Sequence, residues 1–264
     1  MPHKLYINKI SKYALVGHGY SLYNFYKALE KSSLINPIII THKTSKSEKI
    51  KKFDKKIYKN IFNLKNKTKI HEIRNFDYQK FLNILSIHKI DYIISCSSKF
   101  IFNDVVIKAY KDRIFNLHSS ELPKYRGGAV FSWKILKKEH TSCASMHKIE
   151  KKLDTGNLIL QTLIKKHKAD TNVVDLIKES NLKFDELIKK FIFKVENKKK
   201  FSSMAQKEKN SVYLSRLNSS IDGKINWNWD GQDIVTFVKA MSKPFNGSFT
   251  HLNAKKKKNQ KKYF

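Results

Sequence analysis

Tyr13-Ala14-Leu15-Val16-Gly17-His18-Gly19 is an apolar run that stops on a glycine-rich turn, and Leu22, Phe25, Tyr26 and Leu29 follow it at helical spacing. A strand that turns tightly into an amphipathic helix is the opening unit of a β–α alternation. The next strand is Pro37-Ile38-Ile39-Ile40-Thr41, where three successive β-branched residues suit a sheet covered on both faces. Thr44 to Lys69 is Lys-rich and weakly patterned, a loop with a helical piece. Tyr78 to His88 is predicted as helix, Asp91 to Ser95 as strand and Val105 to Tyr110 as a short helix. Arg113-Ile114-Phe115-Asn116-Leu117-His118 is a strand that ends in polar residues. This alternation predicts an α/β fold with a mostly parallel sheet and helices on both faces. Ligands of such sheets gather at the C-terminal strand edges, so chemistry is expected where the 113–118 strand ends. Gly17-His18-Gly19 lacks a third glycine, and no acidic residue follows the second strand, so it reads as a turn rather than a dinucleotide fingerprint.

Downstream, Gly127 to Leu136 is expected to open a helix, Ser142 to His147 and Leu158 to Ile164 to form strands, and Leu153-Asp154-Thr155-Gly156 to turn between them. Asp170-Thr171-Asn172 caps a long amphipathic helix carrying Val174, Leu176, Ile177, Leu182, Phe184, Leu187, Ile188 and Phe191. The chain divides into a catalytic domain over 1–200, a linker over 201–210, a short C-terminal subdomain over 211–254 and a frayed, solvated Lys-rich tail over 255–264.

The formal charge is +32 over 264 residues. Clustered basic residues favour polyanions such as tRNA. Here Lys far outnumbers Arg and is enriched with Ile and Asn along the whole chain, a pattern that A/T-rich codons produce without selection for nucleic acid. Two unpaired cysteines, Cys96 and Cys143, fit a reducing compartment and no metal spacing. No apolar run reaches the roughly 18 residues of a membrane span. A soluble cytoplasmic protein without metal or membrane partner is the expectation.

The densest constellation is Phe115-Asn116-Leu117-His118-Ser119-Ser120-Glu121-Leu122-Pro123-Lys124-Tyr125-Arg126-Gly127-Gly128. Asn116 and His118 are two apart on a strand and share a face. Pro123 and Gly127-Gly128 bracket a rigid loop whose backbone can approach a ligand closely. Asp154 is the candidate carboxylate, although Asp-Thr-Gly also suits a plain Asx turn.

The run from Asn116 to Gly128, followed by Leu153-Asp154-Thr155-Gly156, resembles the signature of the N10-formyltetrahydrofolate-dependent formyltransferases. That family includes methionyl-tRNA, glycinamide ribonucleotide and sugar-nucleotide enzymes. His118 and Asp154 stand 36 residues apart, and Met146-His147-Lys148-Ile149 between them also fits. The likeness is good from about Tyr13 to Ile164 and continues more weakly through Ile225-Asn226-Trp227 and Lys243 to Ser248. It implies a Rossmann-like formyltransferase fold with a short C-terminal segment related to a truncated OB-like domain. It also implies N10-formyltetrahydrofolate as co-substrate and Asn116, His118 and Asp154 as the catalytic set. The family's pterin site carries over onto Ser95, Ser97, Phe100, Ser120, Leu122, Pro123 and Gly156. Glu121 stands where the family usually has an apolar residue, Cys143 where it has glycine, and Asn226 where it has aspartate.

Only about 60 residues follow Ser202, and Thr41 to Lys51 has no glycine or arginine. A small amine therefore suits the acceptor better than initiator tRNA, with the amino group of a nucleotide-linked sugar as the leading candidate. The basic charge keeps methionyl-tRNA as the alternative. A non-catalytic folate- or nucleic-acid-binding relative would not need all three residues. Trp227, Trp229 and Phe245 are expected in core packing, with stacking on a base as the other use. A homodimer is compatible with the family.

Overall fold

In the computed structural model, which describes residues 3–42, 52–73, 77–252 and 260–263, the predicted alternation takes the following course. β1 (His3–Leu5) and β2 (Tyr13–Gly17) lead to α1 (Gly19–Glu30), β3 (Ile38–His42), α2 (Lys52–Phe62), β4 (Ile70–Ile73) and α3 (Tyr78–Ile87). β5 (Tyr92–Cys96), α4 (Asp104–Ala109) and β6 (Ile114–His118) complete the first half. After it come β7 (Arg126–Gly127), α5 (Val130–Leu136), β8 (Thr141–Ser142), β9 (Ser145–Lys148), β10 (Leu158–Gln161), β11 (Lys165–Lys166) and α6 (Val173–Glu196). β12 (Phe201–Ser203), β13 (Tyr213–Leu214), α7 (Ser219–Asp222), α8 (Gly231–Met241), β14 (Phe249–Leu252) and β15 (Gln260–Tyr263) follow.

Seven strands form one sheet in the order β10-β9-β6-β5-β2-β3-β4. The five from β4 to β6 are parallel, while β9 runs antiparallel to β6 and β10 antiparallel to β9. The chain winds outward from β2 to β4 and then returns to β5 on the other side of β2. The crevice at the ends of β2 and β5 is thus the switch point where α/β sheets hold ligands. Gly17 makes that crevice possible: its φ is +130°, and a Cβ there would lie 2.1 Å from the Cys96 carbonyl oxygen. Alternating residues bury both faces. Leu15, Ile94, Phe115 and Leu117 pack under α1 and α6 with Phe25, Leu187 and Phe191. Ala14, Ile93 and Ile114 pack on the other side with Phe81, Leu85 and Val106 of α3 and α4. Asn116 and His118 share the parity of Ile114, so they stand on the α3/α4 side at the strand's end.

The caps follow the sequence. The side chains of Asp77, Asn103 and Asn172 accept from the first turns of α3, α4 and α6. Several expectations change. Leu182 faces solvent at 59% exposure rather than joining the α6 core stripe. β4 went unread, because only Ile73 in Ile-His-Glu-Ile is buried, as befits a sheet edge. Trp227 and Trp229 are 61% and 41% exposed instead of buried in a core. Lys261 and Lys262 lie in β15, paired antiparallel with β14, and not in a frayed end. Thr44 to Lys51 and Lys255 to Lys258 fall outside the described residues.

The departures from the family pattern have local reasons. Glu121 is buried at 7% exposure, with Oε2 2.7 Å from Lys134 Nζ of α5 and Oε1 accepting from Thr141 Oγ1 at 3.0 Å. The Lys134 ammonium also donates to the Thr141 carbonyl. An acidic residue in this loop is tolerated because a buried cation meets it. Cys143 is buried, with its sulfur 3.3 Å from the Thr162 carbonyl oxygen. Asn226 accepts from Asn228 N–H, a turn bond that aspartate would make equally well.

Removing one partner of a buried pair strands a charge, whereas removing both does not. Glu121→Leu alone is expected to lose about 3–5 kcal/mol in urea unfolding, and Glu121→Leu/Lys134→Leu to lie within about 1–2 kcal/mol of wild type. Additive losses in the double variant would refute this account.

Candidate active site

β6 delivers Asn116 and His118 to the sheet edge, and β9 lies beside it with Asn116 opposite His147 and His118 opposite Ser145. Directly opposed residues of an antiparallel pair share a face, so Asn116 and His147 meet. Asn116 Nδ2 is 3.2 Å from His147 Nε2. His118 is 8% exposed, and its Nε2 is 2.7 Å from the Tyr125 carbonyl oxygen. A carbonyl only accepts, so Nε2 carries a proton there and Nδ1 is the atom left for chemistry.

Nδ1 faces Asp154. Asp154 Oδ2 lies 3.7 Å from it, beyond hydrogen-bond range but close enough to stabilise an imidazolium. Oδ2 accepts instead from Gly127 N–H at 2.9 Å, and Oδ1 is 3.3 Å from His147 Nε2. The three residues singled out in the sequence thus converge. Burial opposes the charge of Asp154, but the His147 contact, the two imidazoles and Gly127 N–H outweigh it and hold the carboxyl at about 2. Burial pushes His118 below its ordinary range, with Asp154 pulling the other way. Burial thus favours the neutral form of the His118 imidazole.

Asp154 itself sits at φ 56°, a left-handed conformation costing about 1–2 kcal/mol for a non-glycine residue. The chain beyond α6 holds it there. Gln206 Nε2 donates to the carbonyls of Asp154 and Gly156 at 2.9 and 2.7 Å, and Gln206 Oε1 accepts from Arg126. Arg126 in turn forks onto Glu208. β13 pairs in parallel with β7, and Gly127, at φ +95°, has no room for a Cβ, which would lie 2.2 Å from the Leu214 carbonyl oxygen. The segment that composition marks as a linker braces the loop and the carboxylate together.

The residues expected to contact a pterin come from β5, the loop that follows it, the loop after β6 and the Asp154 turn. Ser95 is buried on β5 opposite Asn116, and Ser97, at φ 50°, shares a hydrogen bond with Ser21. Phe100 lies edge-on to His42. Residues 97–103 are irregular and leave the switch crevice directly. Ser120 is fully buried, and its hydroxyl donates to the Lys124 carbonyl, so it shapes the loop from within. Leu122 and Pro123 line a cavity of about 910 Å³ with Lys124, His140, Gln161 and His167. Gly156 is packed against the Lys148 carbonyl, leaving no space for a side chain. Sequence reasoning missed His147, Arg126 and Gln206. Only His147 had a signal, its place beside Met146 in the family-like run.

Among the described residues no group of His, Cys, Asp and Glu side chains could hold a metal ion, and no helix is long and apolar enough to cross a membrane. The formyl transferase family model matches residues 11–184, and the chain belongs to that family. It is 31% identical over 193 residues to the bifunctional polymyxin resistance protein ArnA of Wigglesworthia glossinidia brevipalpis. That match takes in 73% of this chain but spans only 29% of the relative's length. Among solved structures, WlaRD, a sugar 3N-formyl transferase crystallised with dTDP and 5-N-formyl-THF, is 26% identical. The match covers 88% of this chain and 79% of WlaRD at a TM-score of 0.68. A 4-N formyltransferase from Francisella tularensis, 20% identical, shares the fold over 97% of this chain and 98% of its own at 0.71.

The lowered value of His118 sets a direction for stability. Between its folded value and the unfolded value near 6.5, the unfolded chain binds a proton that the folded chain does not, so stability rises with pH. The urea midpoint is expected to fall as pH drops from about 7 to 5, and less steeply in His118→Asn. Tryptophan fluorescence reads both curves, and equal slopes would remove His118 from the account.

Proposed function

We propose that this member of the formyl transferase family moves the formyl group of N10-formyltetrahydrofolate to the amino group of a nucleotide-linked amino sugar. The observation that carries the reading is the convergence of Asn116, neutral His118 and ionised Asp154 at the C-terminal edge of β6. Sugar formylation draws its support from WlaRD, whose crystals held dTDP and a formyl folate.

In this mechanism the acceptor amine attacks the formyl carbon while His118 Nδ1 takes the proton that the nitrogen sheds. Burial keeps the imidazole neutral beforehand, and Asp154 at 3.7 Å stabilises the cation once formed. Charge growing on the formyl oxygen is met by the Asn116 amide, a donor worth about 2.7–4 kcal/mol when well aimed. As the bond to N10 breaks, the imidazolium returns its proton to that nitrogen, so His118 ends as it began. Ser95, Ser97 and Phe100 flank the crevice from which the formyl donor would reach these groups, and Gly156 fixes the Asp154 loop. Trp227 and Trp229 present exposed aromatic faces suited to a nucleoside base. The whole set would be purposeless in a mere folate- or nucleic-acid-binding protein.

The test is incubation with N10-formyltetrahydrofolate and a panel of dTDP- and UDP-linked amino sugars, with methionyl-tRNA beside them, read by mass spectrometry. A formylated sugar nucleotide is expected. Asn116→Ala should lower kcat about 10²- to 10³-fold and His118→Asn at least about 10²-fold. Formylated methionyl-tRNA with untouched sugars would replace the acceptor; no formylated product, or full activity in His118→Asn, would overturn the mechanism.

A further inference from the structure

His147 stands between two of the three groups assigned above without being one of them. Its ring is fixed from behind: Nδ1 is 2.7 Å from the Lys148 carbonyl oxygen, which can only accept, so Nδ1 carries a proton. The remaining atom, Nε2, faces two partners at nearly equal range, Asn116 Nδ2 at 3.2 Å and Asp154 Oδ1 at 3.3 Å. These contacts demand opposite states of one nitrogen. A lone pair on Nε2 accepts from the Asn116 amide, whereas a proton on Nε2 donates to Asp154 and leaves nothing for an N–H of Asn116.

We infer that His147 is a positioning residue which, as the neutral imidazole, holds the Asn116 amide with its NH₂ toward the ring and its second N–H free for the formyl oxygen. When Nε2 takes a proton, the bond moves to Asp154, and Asn116 must turn its amide oxygen toward the ring, redirecting both N–H groups. The aim of the oxyanion donor is then set by the proton on a neighbouring histidine. The inference rests on the formyl-transfer reading for its catalytic consequence, though the hydrogen-bond exchange does not.

The groups facing the ring are few. Asp154 comes from its loop. From β6 come Asn116 and His118, whose ring centroid is 6.3 Å away in an edge-on arrangement. The ammonium of Lys148, next in the strand, is turned away to Asp112. Since His147 is 1% exposed, no bulk water competes for Nε2.

Two variants separate positioning from packing. His147→Leu removes the acceptor, and His147→Gln returns an amide oxygen near the place of Nε2 without an ionisable group. Expected are a kcat about 10²-fold lower in His147→Leu with KM for both substrates within about threefold, and recovery to within about tenfold of wild type in His147→Gln. Independently of turnover, the Asn116 side-chain NH₂ resonances of substrate-free wild-type protein should shift with the titration of the His147 ring in ¹⁵N NMR. Wild-type kcat in His147→Leu, or equal losses in both variants, would overturn the catalytic part. Asn116 resonances indifferent to the His147 titration would overturn the exchange itself. If no acceptor is formylated at all, the proposed function fails while the NMR measurement still decides the exchange.

Discussion

Asp154 is a carboxylate taken almost wholly out of water, and everything around it answers the cost of that burial. An isolated buried anion is unaffordable, so its oxygens must be met by donors of fixed position. Gly127 N–H donates to one of them, and the His147 and His118 rings stand 3.3 and 3.7 Å away, each a donor to the carboxylate only when protonated. Each comes from a different element: the loop after β6, the antiparallel strand β9, and the end of β6 itself. The carboxylate therefore draws the loop, the two strands and its own turn into one arrangement. The left-handed backbone at Asp154 is the local strain that this arrangement sustains.

What keeps the turn in place comes from late in the chain. Gln206 binds the carbonyls on either side of Thr155, Arg126 binds Gln206, and β13 lies alongside β7. Atoms of the loop from Tyr125 to Gly127 thus contribute in three ways: a carbonyl that fixes the His118 tautomer, a guanidinium that anchors the brace and an N–H that reaches Asp154. Gln206 of the 201–210 stretch thereby sets the backbone that aims the Asp154 carboxylate.

The division of labour between the histidines follows from their backbone partners. His118 gives Nε2–H to a carbonyl and turns Nδ1 toward Asp154. His147 gives Nδ1–H to a carbonyl and turns Nε2 to Asn116 and Asp154. Two imidazoles about 6 Å apart thus present opposite nitrogens, which in the proposed mechanism lets one exchange protons with substrate while the other orients an amide. The same chemical group acquires two uses because main-chain acceptors select different tautomers.

The sequence by itself determined the β–α alternation, since buried parallel strands such as Ile38-Ile39-Ile40 and the 3.6-residue periodicity of α6 are local patterns. It also determined the catalytic candidates, because Asn116 and His118 are two apart on one strand and the Asp154 turn follows at the family's spacing. Polar edge elements were not legible: β4 buries one residue, and the Lys-rich end that pairs as β15 reads as solvated tail by composition. Glu121 looked like an anomaly until Lys134, thirteen residues later, appeared beside it. Only the tertiary structure decided that His147 faces Asn116 across β9, that Gln206 holds the Asp154 turn, and which nitrogen of each histidine is free. Strand register and loop closure place atoms to within a few tenths of an ångström, and they arise from contacts between residues far apart in the chain, which no local pattern encodes.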